Sequence, residues 1–424
     1  MWETLRNAWK IQELRKKILF TVFMLLIYRF LCFVPTPGVD LTRIQEALKN
    51  YSLFGFINSM TGSDMESFTV MAMGVLPYIN ASIIMQLLTV AIPKLEALQK
   101  EGEEGRKKIA QITRYVTVAL AFLQALALSI GLNVARNVSV WNYVTIGLCL
   151  AAGSAIAMWI GERITEKGIG NGISLLIFAG IISNIAKAVV AQIYALFQPD
   201  AIAQGLISIP AMLGVVILSL ALIVAVVFIE LGERRIPVQY AKRMVGRKMY
   251  GGQSTHIPMK INSSGVLPLI FASAIMQFPS TILTFVGPNS QAAQWWNNHV
   301  SYTSIWYQLI FALMIFGFTF FYTSITFNPV DISKNLQQNG GMIPGFRQGK
   351  STTDYLARVS SRITLFGAVF LALLATIPTL MSVVGRMNMP FASSSLLIAV
   401  SVAIESMRTL ESHMTMRHYK GFLR

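Results

Sequence analysis

The chain has 424 residues, of which 54% are hydrophobic and only 13% are charged, whereas an ordinary globular domain is about one-quarter charged. Its 35 lysines and arginines outnumber 19 aspartates and glutamates, which gives a formal net charge of +16. These proportions exclude a soluble globular fold. Because the basic residues occur in blocks between long apolar runs, the sequence predicts an all-α protein that crosses a membrane many times.

The first element is a polar, amphipathic segment, residues 1–17, in which Trp2, Leu5, Trp9 and Leu14 recur at roughly helical spacing. The segment is too polar to span a membrane. We therefore predict a cytoplasmic helix that lies on the membrane surface.

Ten apolar runs follow, each about 17–25 residues long, which is enough for a helix to cross a bilayer. They are residues 18–34, 74–92, 113–131, 143–161, 172–196, 208–229, 266–287, 304–327, 361–380 and 390–407. The first five runs define an N-terminal half (18–196) and the last five a C-terminal half (208–407). A cytoplasmic tail, residues 408–424, completes the chain.

The distribution of lysine and arginine fixes the predicted orientation. With the N-terminus inside, the inner segments hold 27 of these residues and the outer segments hold 4. This asymmetry satisfies the positive-inside rule at every loop. We therefore predict a multi-pass protein with both termini in the cytoplasm.

Two segments of the chain resemble each other. Residues 74–86 open the second predicted span, residues 265–277 open the seventh, and the two are identical at ten of thirteen positions. Because each half has five spans, the second half crosses the membrane in the opposite direction. The match predicts inverted-topology repeats, whose interface usually contains the functional path. A shorter echo, between 174–177 in span five and 395–398 in span ten, is compatible with coincidence.

Two cytoplasmic segments, 230–265 and 328–360, are longer than orientation alone requires. Apolar and polar residues alternate in 235–243 and again in 256–262, on either side of a basic tip, which predicts a β-hairpin. The second segment has a turn-rich stretch that presents Arg347. The charges are explained either by the positive-inside rule alone or by a docking surface for an acidic partner or nucleic acid, and we favour the second.

Several function classes leave no signature in the sequence. It has no nucleotide-binding or zinc-protease motif, no nucleophile paired with a base, and no metal-ligand spacing among its histidines. No predicted span carries a pair of acidic residues at mid-depth, where an ion-coupled transporter needs them. A secondary transporter, which also uses inverted repeats, and a membrane-embedded hydrolase are therefore two functions that these absences disfavour.

Motifs along the whole chain resemble those of the SecY family, the central channel subunits of the bacterial protein translocase. The matching segments are 74–86, 168–174, 234–243, 253–258, 265–268, 327–329 and 343–347. The resemblance implies ten transmembrane helices in two inverted five-helix halves around a central pore, in the bacterial cytoplasmic membrane. It also implies a protein that is not an enzyme and needs no cofactor.

The resemblance further implies three sets of functional residues. A ring of apolar side chains would close the pore around the moving polypeptide: Val75, Ile79, Ile173, Ile177, Ile270 and Ile398. Spans two and seven would form a lateral gate towards lipid, with polar residues at Asn80, Gln86 and Gln277. Residues 53–73 would form a plug in the outer funnel. The partner-docking residues would be Arg347, Lys242, Arg243, Arg247 and Lys248.

The partners implied by the resemblance are the small membrane subunits SecE and SecG, the motor ATPase SecA and the ribosome. The cargo would be signal peptides and unfolded precursor proteins, and the surrounding partner is the lipid bilayer. The equivalence of Ile79 with Ile270 in the strong repeat, and of Ile177 with Ile398 in the weak one, fits side chains that meet near a pseudo-two-fold axis.

Overall fold

The computed structural model describes most of the chain. The described residues are 2–42, 44, 68–196, 209–240, 243–245, 248–250, 254–286, 290–300, 304–385 and 393–421. Most of the plug predicted at 53–73, and the docking residues Lys242 and Arg247, lie outside them.

The described residues form fourteen helices and five strands. The helices are α1 (Trp2–Lys10), α2 (Gln12–Leu31), α3 (Leu76–Ala91), α4 (Pro93–Lys100), α5 (Glu103–Gly131), α6 (Val140–Lys167), α7 (Gly172–Leu196), α8 (Ile209–Leu231), α9 (Leu267–Val286), α10 (Gln291–His299), α11 (Ile305–Thr326), α12 (Pro329–Gln338), α13 (Lys350–Gly385) and α14 (Ser393–Gly421). The strands are β1 (Glu233–Tyr240), β2 (Arg243–Val245), β3 (Lys248–Tyr250), β4 (Ser254–Lys260) and β5 (Gly341–Met342).

Each of the ten predicted spans overlaps one of these helices. Within the described ranges, four helical segments are long and apolar enough to cross a membrane: Glu103–Gly131, Val140–Lys167, Ile305–Gln338 and Lys350–Ile377. A fifth span results if α3 and α4, which are bent by 100°, are counted together. The chain is therefore a mostly helical protein with several membrane-spanning helices.

The bend between α3 and α4 has a local cause. Ile92 is extended, with φ −108° and ψ 113°, and Pro93 is the first residue of α4. Proline disfavours the helical conformation of the residue before it and lacks the N–H that would continue the helix. The chain therefore turns at the predicted cytoplasmic end of span two.

Several helices extend beyond the predicted spans. Helix α13 begins at Lys350 and not near 361, and α14 continues to Gly421, through most of the predicted tail. Hydropathy marks only the part of a helix that matches the apolar membrane interior, whereas a polar continuation in water keeps the same backbone hydrogen bonds. Helix α10 was not predicted, because its nine residues lie in a polar outer segment.

The N-terminal segment consists of two helices, because Ile11 adopts an extended conformation between α1 and α2. Ala8 is fully buried and shares an apolar cluster with Leu14, Ile169 and Leu410. One face of α1 is therefore covered by α14 and by the turn between α6 and α7, rather than lying only on the membrane surface.

The predicted hairpin is confirmed. Strand β1 pairs antiparallel with β4, from Glu233 opposite Lys260 to Gln239 opposite Ser254, and β5 adds to the other edge of β1. The alternate residues Ile236 and Val238 are buried. They pack with residues of α12, the 343–346 loop and α13, so the hairpin is fixed to the second cytoplasmic segment.

Contacts between helices follow the order of the two predicted halves. In the first half, α3 contacts α5, α5 contacts α6 and α6 contacts α7; in the second, α9 contacts α11, α11 contacts α13 and α13 contacts α14. Across the boundary, α3 contacts α9 and α7 contacts α14. Helix α5 also contacts α9, so the boundary includes both pairs of helices whose sequences match and one pair that does not.

Candidate functional site

The six apolar residues predicted for the pore ring belong to one apolar cluster. Val75, Ile177 and Ile398 are buried, with 4%, 7% and 1% of their surface exposed. The other three, Ile79, Ile173 and Ile270, are partly buried and pack against the same cluster. The cluster thus collects side chains from the helices that meet at the boundary between the halves.

Local geometry explains why α7 contributes two of these residues. Ile173 and Ile177 are four residues apart and therefore lie on one face of the helix. The helix starts close to α6, because a Cβ atom on Gly172 would lie 1.9 Å from the backbone oxygen of Gly161. The Asn171 side-chain oxygen accepts a hydrogen bond from the Ile173 N–H at 3.1 Å, and such a bond satisfies an otherwise free donor of the first turn.

The two helices predicted to form the gate are in contact. Ile83 of α3 is buried with Phe271 and Ala274 of α9, and Ile79 packs against this group. Helix α11 supports the seam, because the rings of Phe271 and Phe318 meet edge to face with centroids 5.9 Å apart. The structure therefore presents α3 and α9 with an apolar seam closed between them.

The polar gate residues occupy different environments. Asn80 is 4% exposed, and in the described part of the chain its side-chain oxygen has no hydrogen-bond partner. Gln86 is exposed. The side chain of Gln277 lies outside the part that the structure describes.

The predicted docking loop presents Arg347 to solvent. Gly345 and Gly349 on either side have φ values of +85° and +92°, a conformation that favours glycine. The Arg347 backbone oxygen accepts a hydrogen bond from the Thr352 hydroxyl at 2.8 Å, and this bond fixes the loop to the start of α13. Arg243 and Lys248 lie in the paired strands β2 and β3, and their side chains lie outside the description.

The structure adds basic residues that the sequence analysis missed. Arg234, Arg358 and Arg362 line a groove of about 490 Å³ between the base of the hairpin and α13. All three are exposed, and no carboxylate in the described part of the chain pairs with them. The sequence did contain a signal for this arrangement. Arg358, Arg362 and Phe366 are spaced four residues apart, which places them on one side of a helix.

In the described part of the chain, no group of three or more His, Cys, Asp or Glu side chains is arranged to hold a metal ion.

Comparison with known proteins identifies the family. The SecY family model matches residues 69–407. A protein translocase subunit SecY from Streptomyces galbus is 42% identical over 440 aligned residues, with 99% of each chain covered. The chain belongs to the SecY family.

Solved structures share the fold. The structure described as that of a protein conducting channel superposes with a TM-score of 0.67 at 20% identity, covering 94% of this chain and 92% of the other. Sec61 in the canine ribosome-channel complex from the endoplasmic reticulum gives a TM-score of 0.63 at 18% identity, with 94% and 92% covered. The family resemblance inferred from the motifs is thereby confirmed.

Proposed function

We propose that the chain is the central subunit of a protein-conducting channel, which moves unfolded, signal-bearing polypeptides across the membrane and releases transmembrane segments sideways into lipid. The observation that carries this function is the apolar cluster where α3, α7, α9 and α14 meet. A narrow ring of branched apolar side chains resists ion flow by dewetting, yet it can deform around a polypeptide. Val75, Ile79, Ile173, Ile177, Ile270 and Ile398 form this ring.

The proposed architecture has ten spans in two inverted halves around the ring. The contacts of α3 with α9 and of α7 with α14 support it, because these helices carry the matching sequence segments. The excess of lysine and arginine in alternate loops supports an orientation with both termini in the cytoplasm. The 42% identity to a bacterial relative supports the bacterial cytoplasmic membrane as the location.

The proposed lateral gate is the seam between α3 and α9. An apolar signal-peptide core would replace the contacts of Ile83 with Phe271 and Ala274. It would favour the open state because it binds that state better than the closed one. Asn80, Gln86 and Gln277 would be the polar residues that respond to opening, and residues 53–73 would be the plug.

The proposed partners are SecE and SecG in the membrane, and SecA or the ribosome on the cytoplasmic side. The exposed Arg347 and the hairpin with its basic tip support a cytoplasmic docking surface for an acidic or nucleic-acid partner. A solved relative is described as part of a ribosome-channel complex. As a channel subunit and not an enzyme, the chain takes its driving force from such a partner or from the membrane potential.

Reconstitution tests the function directly. The chain is placed in liposomes with SecE and SecG, and SecA, ATP and a signal-bearing precursor are added. We expect precursor that is protected from external protease, and protection that requires both ATP and the signal peptide. A precursor without its signal is the matched control. Absence of protected precursor from a folded and correctly oriented preparation, together with uptake of a small solute, would instead establish a transporter.

A further inference from the structure

Glu230 connects three parts of the C-terminal half. It lies in the last turn of α8, directly before the hairpin. One oxygen of its carboxylate accepts hydrogen bonds from the Asn262 side-chain amide at 2.7 Å and from the Ser401 hydroxyl at 2.9 Å. Its backbone oxygen accepts a third hydrogen bond, from the Arg408 guanidinium, at 2.9 Å.

The hairpin side of this connection is fixed firmly. Asn262 follows β4 and is 6% exposed. Its amide nitrogen also donates to the Gly265 backbone oxygen at 3.1 Å, just before α9 begins at Leu267. The two limbs of the hairpin are joined at the same level by a hydrogen bond from the Ile261 N–H to the Gly232 oxygen, at 3.0 Å. Movement of the hairpin base therefore reaches both Glu230 and the start of α9.

The other side of the connection is α14, the helix that carries Ile398. Ser401 is three residues after Ile398, so the two side chains lie on neighbouring positions of one helix face. Both are buried, with 7% and 1% of their surface exposed. Arg408 lies two turns further towards the cytoplasm and donates to a carbonyl oxygen at the C-terminal end of α8, where the helix has a free acceptor and a partial negative charge.

The carboxylate of Glu230 is held by neutral donors. Within the described ranges no lysine or arginine forms an ion pair with it, and Arg408 contacts only its backbone oxygen. Hydrogen bonds to an ionised acceptor are stronger than those between neutral groups. One oxygen of a carboxylate can therefore bind an amide and a hydroxyl from two distant segments. A neutral side chain in its place would accept weaker hydrogen bonds.

We propose that Glu230 is a positioning residue that couples the docking hairpin, through Asn262, to the pore helix α14. The proposal rests on the proposed channel function. A partner that shifts the hairpin would move Asn262, and Glu230 would pass this shift through Ser401 to the helix turn that bears Ile398. Without Glu230, docking at the hairpin would open the pore less efficiently.

The test separates docking from transport. Glu230→Gln and Glu230→Ala are reconstituted with SecE, SecG and SecA, and two quantities are measured: the channel-stimulated ATPase rate of the motor and the precursor protected per ATP hydrolysed. We expect the stimulated ATPase to remain near that of the unaltered chain, while the protected precursor per ATP falls roughly 10-fold, within the usual range of coupling between two sites. Glu166→Gln, which alters an exposed glutamate paired with Arg163 on its own helix, is the control and should change neither quantity.

A second variant allows for loss of folding in the first. Ser401→Ala removes only the donor on α14 and should lower the protected precursor per ATP in the same direction. Combined with Glu230→Ala it should add little, because the two residues act through one contact.

Two outcomes overturn the proposal. A parallel loss of ATPase stimulation and transport would show that Glu230 only maintains the fold. Unchanged coupling in both single variants would show that the contact carries no signal. If the unaltered chain itself protects no precursor, the proposed function fails instead, so the two failures can be told apart.

Discussion

Asn80 combines two properties that rarely occur together in a folded protein. It is buried in α3, the proposed gate helix, and its side-chain oxygen has no partner among the described residues. A buried acceptor without a hydrogen bond costs about 1–3 kcal/mol. The packing around Asn80 is therefore less stable than its apolar contacts alone would make it.

Replacement of Asn80 by leucine, whose side chain has the same branched arrangement of four heavy atoms, should stabilise the chain. We expect the free energy of unfolding to rise by about 1–2 kcal/mol, measured as a higher thermal midpoint of the purified protein in detergent. Thr89→Val is the matched control, because the Thr89 hydroxyl already donates to the Met85 oxygen at 2.6 Å and its loss should bring no gain. A lower midpoint for Asn80→Leu would mean that the amide has a partner in the intact protein.

The apolar ring gives a second prediction for single side chains. Ile177→Ala together with Ile398→Ala should open a path for ions, because the smaller side chains leave a gap in which water can persist. The measurement is ion conductance across a planar bilayer. Ile146→Ala is the control, since Ile146 is equally buried but lies in a different cluster between α5 and α6. It should cost stability of about 2–5 kcal/mol without a leak. If the double variant and the control show equal ion conductance, residues other than Ile177 and Ile398 close the pore to ions.

At the scale of elements, the turn between α6 and α7 depends on glycine. A Cβ atom at Gly172 would lie 1.9 Å from the Gly161 oxygen, whereas nothing lies within 4 Å of a Cβ atom at Gly317 in α11. Gly172→Ala should therefore lower the free energy of unfolding by about 1–3 kcal/mol through overpacking. Gly317→Ala should raise it by about 0.5–1 kcal/mol, because alanine favours a helix over glycine. The measurement is the thermal midpoint, which should fall for Gly172→Ala and rise for Gly317→Ala. A rise for both variants would mean that α7 can move away from α6.

The docking loop allows a test of partner binding that leaves the fold intact. Arg347 is exposed, and only its backbone oxygen is used to fix the loop. Arg347→Glu should therefore keep the thermal midpoint and lower SecA-driven translocation at least ~10-fold, because the reversed charge would repel an acidic partner surface. Lys334→Glu, a charge reversal at an exposed position of the neighbouring α12, is the control. Normal translocation by Arg347→Glu would assign docking to the hairpin or to the groove around Arg358.

At the scale of the whole molecule, predictability from the sequence follows the range of the interactions. The hairpin was predictable because the alternation that buries Ile236 and Val238 is local. The pairing of α3 with α9 was predictable because a repeated segment marks both helices. The contact of Glu230 with Ser401 spans 171 residues and leaves no local pattern. The start of α13 at Lys350 was missed for another reason. Hydropathy marks the residues that lie in the apolar membrane interior, and it does not mark where the helix itself begins.

The proposed arrangement in two halves predicts which contacts open. Ile83 of α3 and Ala274 of α9 belong to one buried cluster between these two helices. Cysteines placed at both positions, in a chain whose native Cys32 and Cys149 are replaced by serine, can be joined by a short bis-thiosulfonate reagent, which attaches to each thiol through a disulfide bond and releases sulfinate. If release of a signal peptide into lipid requires this seam to part, the joined chain should no longer translocate signal-bearing precursor, and reduction of the link should restore activity.

A cross-link within one half is the control, because it shows whether any cross-link inhibits translocation or only one that joins α3 to α9. A Cβ atom at Gly147 of α6 would lie 3.0 Å from the Leu126 side chain of α5, so Gly147→Cys with Leu126→Cys joins two helices of the N-terminal half. If the two proposed halves part as rigid units, these helices move together, and translocation should persist after this link. Continued translocation with complete cross-linking of the α3–α9 pair would remove these helices from the gate. Inhibition by both links would mean that the halves do not move as rigid units.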